Sequence, residues 1–257
     1  MRDKVKNIIY RFFLLIRDIL NIFINFREIS VICYHSISEE KLSLAVSPKV
    51  FDEQISFLKK NKYVFVTIDD IIDFINKKKF LPKKAVAITF DDGYADLYFN
   101  ALPILKKYKI PVTIFIVLDK LAFKNNTGVK LDLLSTLQIK EMKRHNIDFQ
   151  FHSKSHLLLD RLTTKEMKSE LFNDENFNYF AYPGGHYAGE AIEALKLIGF
   201  KGAFTIRPGL IKNNINPFLI NRNVILRSMP LWQFKIRITK AIDWYFNFSR
   251  RVKKFYK

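Results

Sequence analysis

The chain has 257 residues, 49% of them hydrophobic, with 8 Gly, 8 Pro and a single Cys. That composition excludes a disordered chain, a disulfide scaffold and a cysteine-built zinc cluster, and the length suits one barrel or open sheet as well as two small domains. The net charge of +18, from 43 basic against 25 acidic side chains, favours partners that carry phosphate.

Residues 5–26 read VKNIIYRFFLLIRDILNIFINF. Arg11, Arg17 and Asp18 interrupt the apolar run, which argues against a spanning helix. No small-residue cleavage site follows, and the first alanine is Ala45, which argues against a cleaved signal peptide. Two readings stay open for this N-terminal segment, 1–28: an amphipathic helix in a membrane surface, or a helix docked on the domain.

Apolar, β-branched runs then follow at 29–34, 63–68, 85–90, 112–117, 147–151, 178–182, 200–206 and 219–226. Cys33 lies in the first and reads as a buried core thiol. Helical spacing separates most of the runs. Phe51, Ile55 and Leu58 share a face, as do Ile71, Ile72 and Ile75, and so do Leu97, Ala101, Ile104 and Leu105. Leu137, Ile139 and Met142 form a fourth face. Ala191, Ala194, Leu195 and Ile198 form a fifth, closed by Gly199 as a C-cap. Alternating strands and helices imply parallel strands with helices outside. We therefore expect an α/β domain over 29–228, a distorted (β/α) barrel of about seven parallel strands.

The C-terminal segment, 229–257, mixes aromatic and basic residues. Positions 230–257 carry eight basic side chains against one acid, Asp243. That composition suits a lipid headgroup region. The sequence carries no zinc-finger, RNA-recognition or helix-turn-helix signature, so no nucleic-acid partner is expected.

In a β/α barrel, chemistry sits at the C-terminal ends of the strands. His35 follows the first run, Asp91 and Asp92 the third, His152 the fifth with His156 four residues on, and Pro183, Gly184 and Gly185 the sixth; Arg222 lies in the last. Three of the five histidines thus fall at strand ends. Asp92, His152 and His156 make a two-histidine, one-carboxylate set, the donor number that holds a catalytic metal and leaves positions open. Imidazole with carboxylate suits Zn2+, and also Co2+, Ni2+ or Fe2+. Such an ion makes two adjacent carboxylates tolerable, and Asp91 would serve as the proton acceptor beside it.

With these motifs in place the sequence resembles the NodB-homology polysaccharide deacetylases, carbohydrate esterase family 4, and most of all its poly-N-acetylglucosamine deacetylase branch. The resemblance runs from about Ile29 to Leu226, through YHSI (34–37), TFDDGY (89–94), ALPILKKYKIPVTIFIV (101–117), HSKSH (152–156), FAYPGG (180–185) and NRN (221–223). It implies a distorted β/α barrel that removes N-acetyl groups from sugars with a divalent metal. It also implies Asp91 as base, Asp92, His152 and His156 as ligands, the Gly184 N–H as an oxyanion donor, and Arg222 as the partner of Asp91. Many relatives have tyrosine where Gly184 stands, and many take their acid from a late Leu-x-Ile-His motif. No histidine follows His186 here, so His35 is the expected acid, as in the branch this chain resembles. Few residues separate Met167 from Tyr179, which predicts a flattened barrel wall there.

The expected function is thus a metal-dependent hydrolase that deacetylates an N-acetylated glycan or a lipid-linked glycan intermediate. The rivals are a deformylase of a lipid-linked amino sugar and a non-catalytic glycan-binding or membrane scaffold. The expected location is peripheral, on an anionic membrane at the cytoplasmic face, with export on an uncleaved N-terminal anchor as the alternative.

Overall fold

The computed structural model describes residues 2–24, 26–119 and 131–255. Among the described residues, ten strands and nine α-helices follow one another in the order α1 (Arg2–Ile24), β1 (Glu28–Tyr34), β2 (Ser36–Ile37), β3 (Ala45–Val46), α2 (Pro48–Lys60), β4 (Val64–Phe65), α3 (Ile68–Ile75), β5 (Lys84–Phe90), α4 (Leu102–Tyr108), β6 (Val112–Ile116), α5 (Thr136–Met142), β7 (Ile147–Phe151), α6 (Thr164–Leu171), β8 (Tyr179–Ala181), α7 (Gly189–Ile198), β9 (Gly202–Phe204), β10 (Asn223–Val224), α8 (Leu231–Arg237) and α9 (Lys240–Phe255). β2 and β3 pair only with each other; the rest form one parallel sheet in the order β10-β1-β5-β6-β7-β8-β9, with β4 beside the start of β5. The sheet curls into the distorted barrel expected. Its ends approach through residues 217–224, which bond to β9 at Pro217 and Ile220 and pair with β1 at Asn223 and Val224.

Strand alternation explains the core and the site together. β1 is buried along its whole length, as parallel strands covered on both faces are. Ile29 and Val31 pack with Ala85, Ala87, Phe115 and Phe204, together with Ile71, Ile72 and Ile75 of α3. The alternate residues Ile32, Tyr34, Ile88 and Phe90 pack instead with Phe51, Ile55 and Leu58 of α2. Because the side-chain period is two, Cys33 and His35 continue the first series on β1, and Thr89 and Asp91 continue it on β5. The polar residues of that series are therefore delivered to the interior at the strands' C-terminal ends.

Some expected elements are shorter than their apolar runs. Only Val64–Phe65 of 63–68 is strand, because the capping box of Thr67 with Asp70 starts α3 immediately after it. Only Asn223–Val224 of 219–226 is strand. α5 buries Met142 but leaves Leu137 80% exposed, and α7 leaves Ile198 exposed, so two predicted face residues lie off the core. Gly199 ends α7 with φ +102°, the left-handed cap expected. Beyond α6, residues 172–178 have no regular structure, as the short sequence there predicts.

The terminal helices pack on each other and on the barrel. Tyr10 of α1 is buried against Leu210, Ile236, Ala241 and Ile242, with Phe13 and Leu14 alongside. Arg17 Nε donates to Glu28 Oε1 at 2.7 Å, and its Nη2 pairs with Oε2. Glu28 is fully buried and also accepts from the Tyr63 hydroxyl and the Lys240 N–H. One carboxylate thus ties α1 and α9 to the first strand. The face of α1 bearing Val5, Ile8, Phe12, Leu15, Ile19 and Phe23 stays exposed. No helix among the described residues is long and apolar enough to cross a membrane.

Candidate active site

The β5–DDG turn sets the centre. Asp91 is still on the strand side of the turn, its N–H donating to Tyr34 O at 3.0 Å. Asp92 has φ +70° and Gly93 φ +79°, so the chain reverses hand at the second carboxylate, and Asp91 Oδ2 and Asp92 Oδ1 both approach His152 Nε2, at 4.0 and 3.5 Å. Glycine is required next: a Cβ at 93 would lie 2.9 Å from Ile116 Cγ2, and its φ is strained for other residues.

Asp91 meets Arg222. The guanidinium, fully buried, makes two 2.6 Å bonds to the two Asp91 oxygens, donates from Nε to Thr205 O at 3.0 Å and reaches Thr89 Oγ1 at 3.4 Å. Phe115 and Phe204 cover its faces. Burial alone would raise the Asp91 carboxyl, but Arg222 and then His152 outweigh it and hold the group well below the usual carboxylate range. Cys33 Sγ donates to Asp91 Oδ2 at 3.4 Å, and burial pushes this thiol well above its ordinary value.

Asp92 faces the histidines. Its Oδ1 lies 3.5 Å from His152 Nε2 and 3.4 Å from His156 Nε2, and it is buried without a hydrogen-bond partner among the described residues. His152 Nδ1 is 2.8 Å from Ala181 O. The carbonyl can only accept, so Nδ1 carries a proton and Nε2 is the nitrogen turned to the centre, where it can offer its lone pair to an ion. His156 has φ +64°, and its N–H is held by Ser153 Oγ at 2.9 Å. Burial and then His152 depress the His156 imidazole to about 4. A buried carboxylate oxygen without a protein donor, converging with two imidazole nitrogens, is a donor set that fits a divalent cation; the three ligand atoms lie within 4.8 Å of one another.

His35 follows β1 directly and lies beside Asp91. Its Nδ1 is buried without a partner among the described residues, and a ring nitrogen lies within 4.8 Å of Asp91. Gly184 sits in the 183–185 turn with φ +58°. The Gly185 and His186 N–H groups bond to Tyr182 O and Pro183 O, whereas the Gly184 N–H has no protein acceptor among the described residues. A cavity of about 310 Å³ opens beside Asp92, walled by Ile116, Leu134, Ile139 and Phe177.

The structure thus gathers Asp91, Asp92, His35, His152, His156 and Arg222 at one end of the barrel. Sequence reasoning passed over four supports. Cys33, read as core, touches Asp91. The Ala181 carbonyl fixes the His152 ring. Asp96 accepts from Ser36 Oγ and the Ile37 N–H, tying the turn after DDG to the segment after His35. Glu170, buried on α6, accepts from Ser155 N–H and Oγ and clamps the HSKSH loop. A glutamate on the buried side of a short helix was the available signal for the last.

The sequence profile of the polysaccharide deacetylase family matches residues 78–203. A poly-β-1,6-N-acetyl-D-glucosamine N-deacetylase of Staphylococcus aureus is 32% identical over 212 residues, which span 76% of this chain and 72% of the relative. Among solved structures, the Streptococcus pyogenes deacetylase PplD, in complex with acetate, is similar with TM-score 0.72 and 26% identity, covering 82% of this chain and 98% of PplD. IcaB from Ammonifex degensii is similar with TM-score 0.69 and 27% identity, covering 81% of this chain and 95% of IcaB.

Proposed function

The chain belongs to the polysaccharide deacetylase family, and from that premise we propose that it is a metal-dependent N-deacetylase of an amino sugar in a glycan or a lipid-linked glycan intermediate. The observation that carries this reading is the unpartnered Asp92 Oδ1 facing His152 and His156, with an ion-paired Asp91 next to it.

Asp92, His152 and His156 would hold the ion, with Zn2+ preferred by the donor set. When bound, the ion supplies Lewis acidity, which polarises the acetyl carbonyl and acidifies water. Asp91 accepts the proton of the attacking water; Arg222 keeps it ionised and fixes both of its oxygens. The Gly184 N–H donates to the carbonyl oxygen as charge develops there. His35 delivers a proton to the departing sugar amine, which leaves poorly as an anion. The bond broken is the amide C–N; the products are acetate and the free amine.

We place the protein at a membrane surface through the exposed apolar face of α1, on the cytoplasmic side. Residues 29–228 act as the catalytic unit, and the two terminal segments hold it to anionic lipid. That placement supports a lipid-linked substrate.

The test is mass spectrometry of the acid released from β-1,6-linked N-acetylglucosamine oligomers and from lipid-linked N-acetyl sugar. Acetate supports the reading, formate alone replaces it with a deformylase, and glycan binding without turnover replaces it with a scaffold. Phe12→Glu with Leu15→Glu, both on the solvent face, should abolish vesicle binding without lowering Tm. Unchanged sedimentation with anionic vesicles would remove the membrane placement, and reporter fusions decide the side.

A further inference from the structure

Among the described residues four arginines are buried or half-buried, and three have counter-ions. Arg17 is paired with Glu28, Arg222 with Asp91 and Arg227 with Glu39. The fourth, Arg237 at the end of α8, makes no ion pair and no hydrogen bond among the described residues. Burial lowers its pKa, and the groups that partly offset this are the hydroxyls of Tyr10 and Tyr245 rather than any carboxylate. Burial pushes the Tyr10 hydroxyl up to about 12, so that ring is neutral near pH 7. A desolvated guanidinium with no anion is costly, and folded chains rarely keep one without a use.

Arg237 lines a cavity of about 350 Å³ between α1 and α8. Lys6, Asn7 and Tyr10 of α1, Ser228 of the loop after β10, and Gln233 of α8 share its wall. Gln233 Nε2 donates to Asn7 Oδ1 at 3.2 Å, which closes the wall and leaves the Asn7 amide N–H and the Gln233 carbonyl uncommitted by that bond. The wall thus holds two cations, two hydroxyls and two amides, and no acid. Ser228 lies just past β10, whose Val224 pairs with Cys33 two residues before His35.

We propose that this cavity binds a phosphate group, as a phosphoester or the free ion. The planar guanidinium fork matches two phosphate oxygens, Lys6 supplies a second positive charge, and the hydroxyls and the amide N–H supply neutral donors for the rest. The exposed apolar face of α1 begins beside it at Val5 and Ile8, so a phosphate carried on a lipid would have its chain laid along that face. The site is independent of the catalytic reading and stands or falls by binding.

The experiment uses the full chain and three probes: inorganic phosphate, phosphatidylcholine vesicles carrying phosphatidic acid, and the same vesicles carrying an equal charge of fatty acid. Wild type is compared with Arg237→Gln and Lys6→Gln by calorimetry, vesicle sedimentation and thermal unfolding. The catalytic centre is the same in all three proteins and cancels. We expect Arg237→Gln to weaken phosphate or phosphatidic-acid binding about tenfold or more, and Lys6→Gln to weaken it less. Without phosphate, Arg237→Gln should leave Tm unchanged or raised, because it removes an unpaired charge. Preference for phosphatidic acid over free phosphate identifies a lipid headgroup; free phosphate binding without vesicle preference identifies a soluble phosphate compound. Equal binding by wild type and both variants overturns the proposal. So does a large loss of Tm in phosphate-free Arg237→Gln, which would mean that the arginine has a structural partner. If Arg237→Gln does not fold, unchanged binding in the exposed Lys6→Gln variant overturns it alone.

Discussion

Arg222→Met removes the guanidinium and keeps most of the side-chain volume between Phe115 and Phe204. It leaves Asp91, 2% exposed, without the two 2.6 Å bonds that compensate its burial. Breaking one side of a buried ion pair costs about 3–5 kcal/mol. For a chain of this size each kcal/mol moves Tm by about 2–4 °C, so the metal-free variant should melt about 6–20 °C below wild type near pH 7. The sign of the pH dependence follows. In wild type the Asp91 pKa is depressed in the fold, so its stabilisation is full above the unfolded value of about 4 and is lost only as pH falls through the folded value. In the variant burial still raises the carboxyl while only His152 and His35 lower it, so the folded pKa moves up from its wild-type value, and acidification neutralises the orphaned carboxylate and relieves the strain. The Tm gap should therefore narrow between about pH 7 and pH 4.5. Adding Asp91→Asn to Arg222→Met should recover most of the loss. Circular dichroism melts of the four proteins in chelator measure all of this. A gap under about 2 °C at neutral pH, or a double variant as unstable as the sum of the singles, would refute the assignment of Asp91 and Arg222 as one buried unit.

Three further outcomes are expected. His35→Gln should keep the metal and lower amide hydrolysis about 10²–10⁴-fold, with little loss on an aryl acetate whose phenolate leaves without a proton; equal losses on both substrates would remove His35 as the acid. Asp92→Ala and His156→Ala should each lose stoichiometric metal and all turnover, measured by atomic emission and acetate release, and retained metal would mean that the ligand set is wrong. Cys33, fully buried and with its thiol pushed up by that burial, should resist iodoacetamide in the native protein and react on unfolding; rapid native alkylation would place the thiol at an open surface.

The site was more legible in the sequence than the wall around it. Strand alternation ending in a polar residue is a local signal, so His35, Asp91, Asp92, His152 and His156 could be read at strand ends before any geometry was known. Arg222 could be placed in the last run, but its pairing with Asp91 was reached only through resemblance, because those bonds span 131 residues and no local pattern marks them. The contact of Cys33 with Asp91 was hidden in the same way: a cysteine in an apolar run looks the same beside leucine or beside a carboxylate. Short edges failed for a different reason. The apolar run at 63–68 is cut by the Thr67 cap, where side-chain hydrogen bonding overrides β-propensity. At α1 the docked reading holds for the face that packs on α8 and α9, while the other face remains exposed and its contact with a membrane is the proposal made above. Composition cannot say which face is taken.

The central claim is that Asp91 serves as the base beside a metal held by its neighbour. Acetate release from N-acetylglucosamine oligomers by zinc-loaded wild type and by Asp91→Asn, with zinc content measured on the same samples, tests it most directly. The account predicts one ion per chain in both, with turnover reduced by about 10²-fold or more in the variant. Equal turnover by the two zinc-loaded proteins would contradict it.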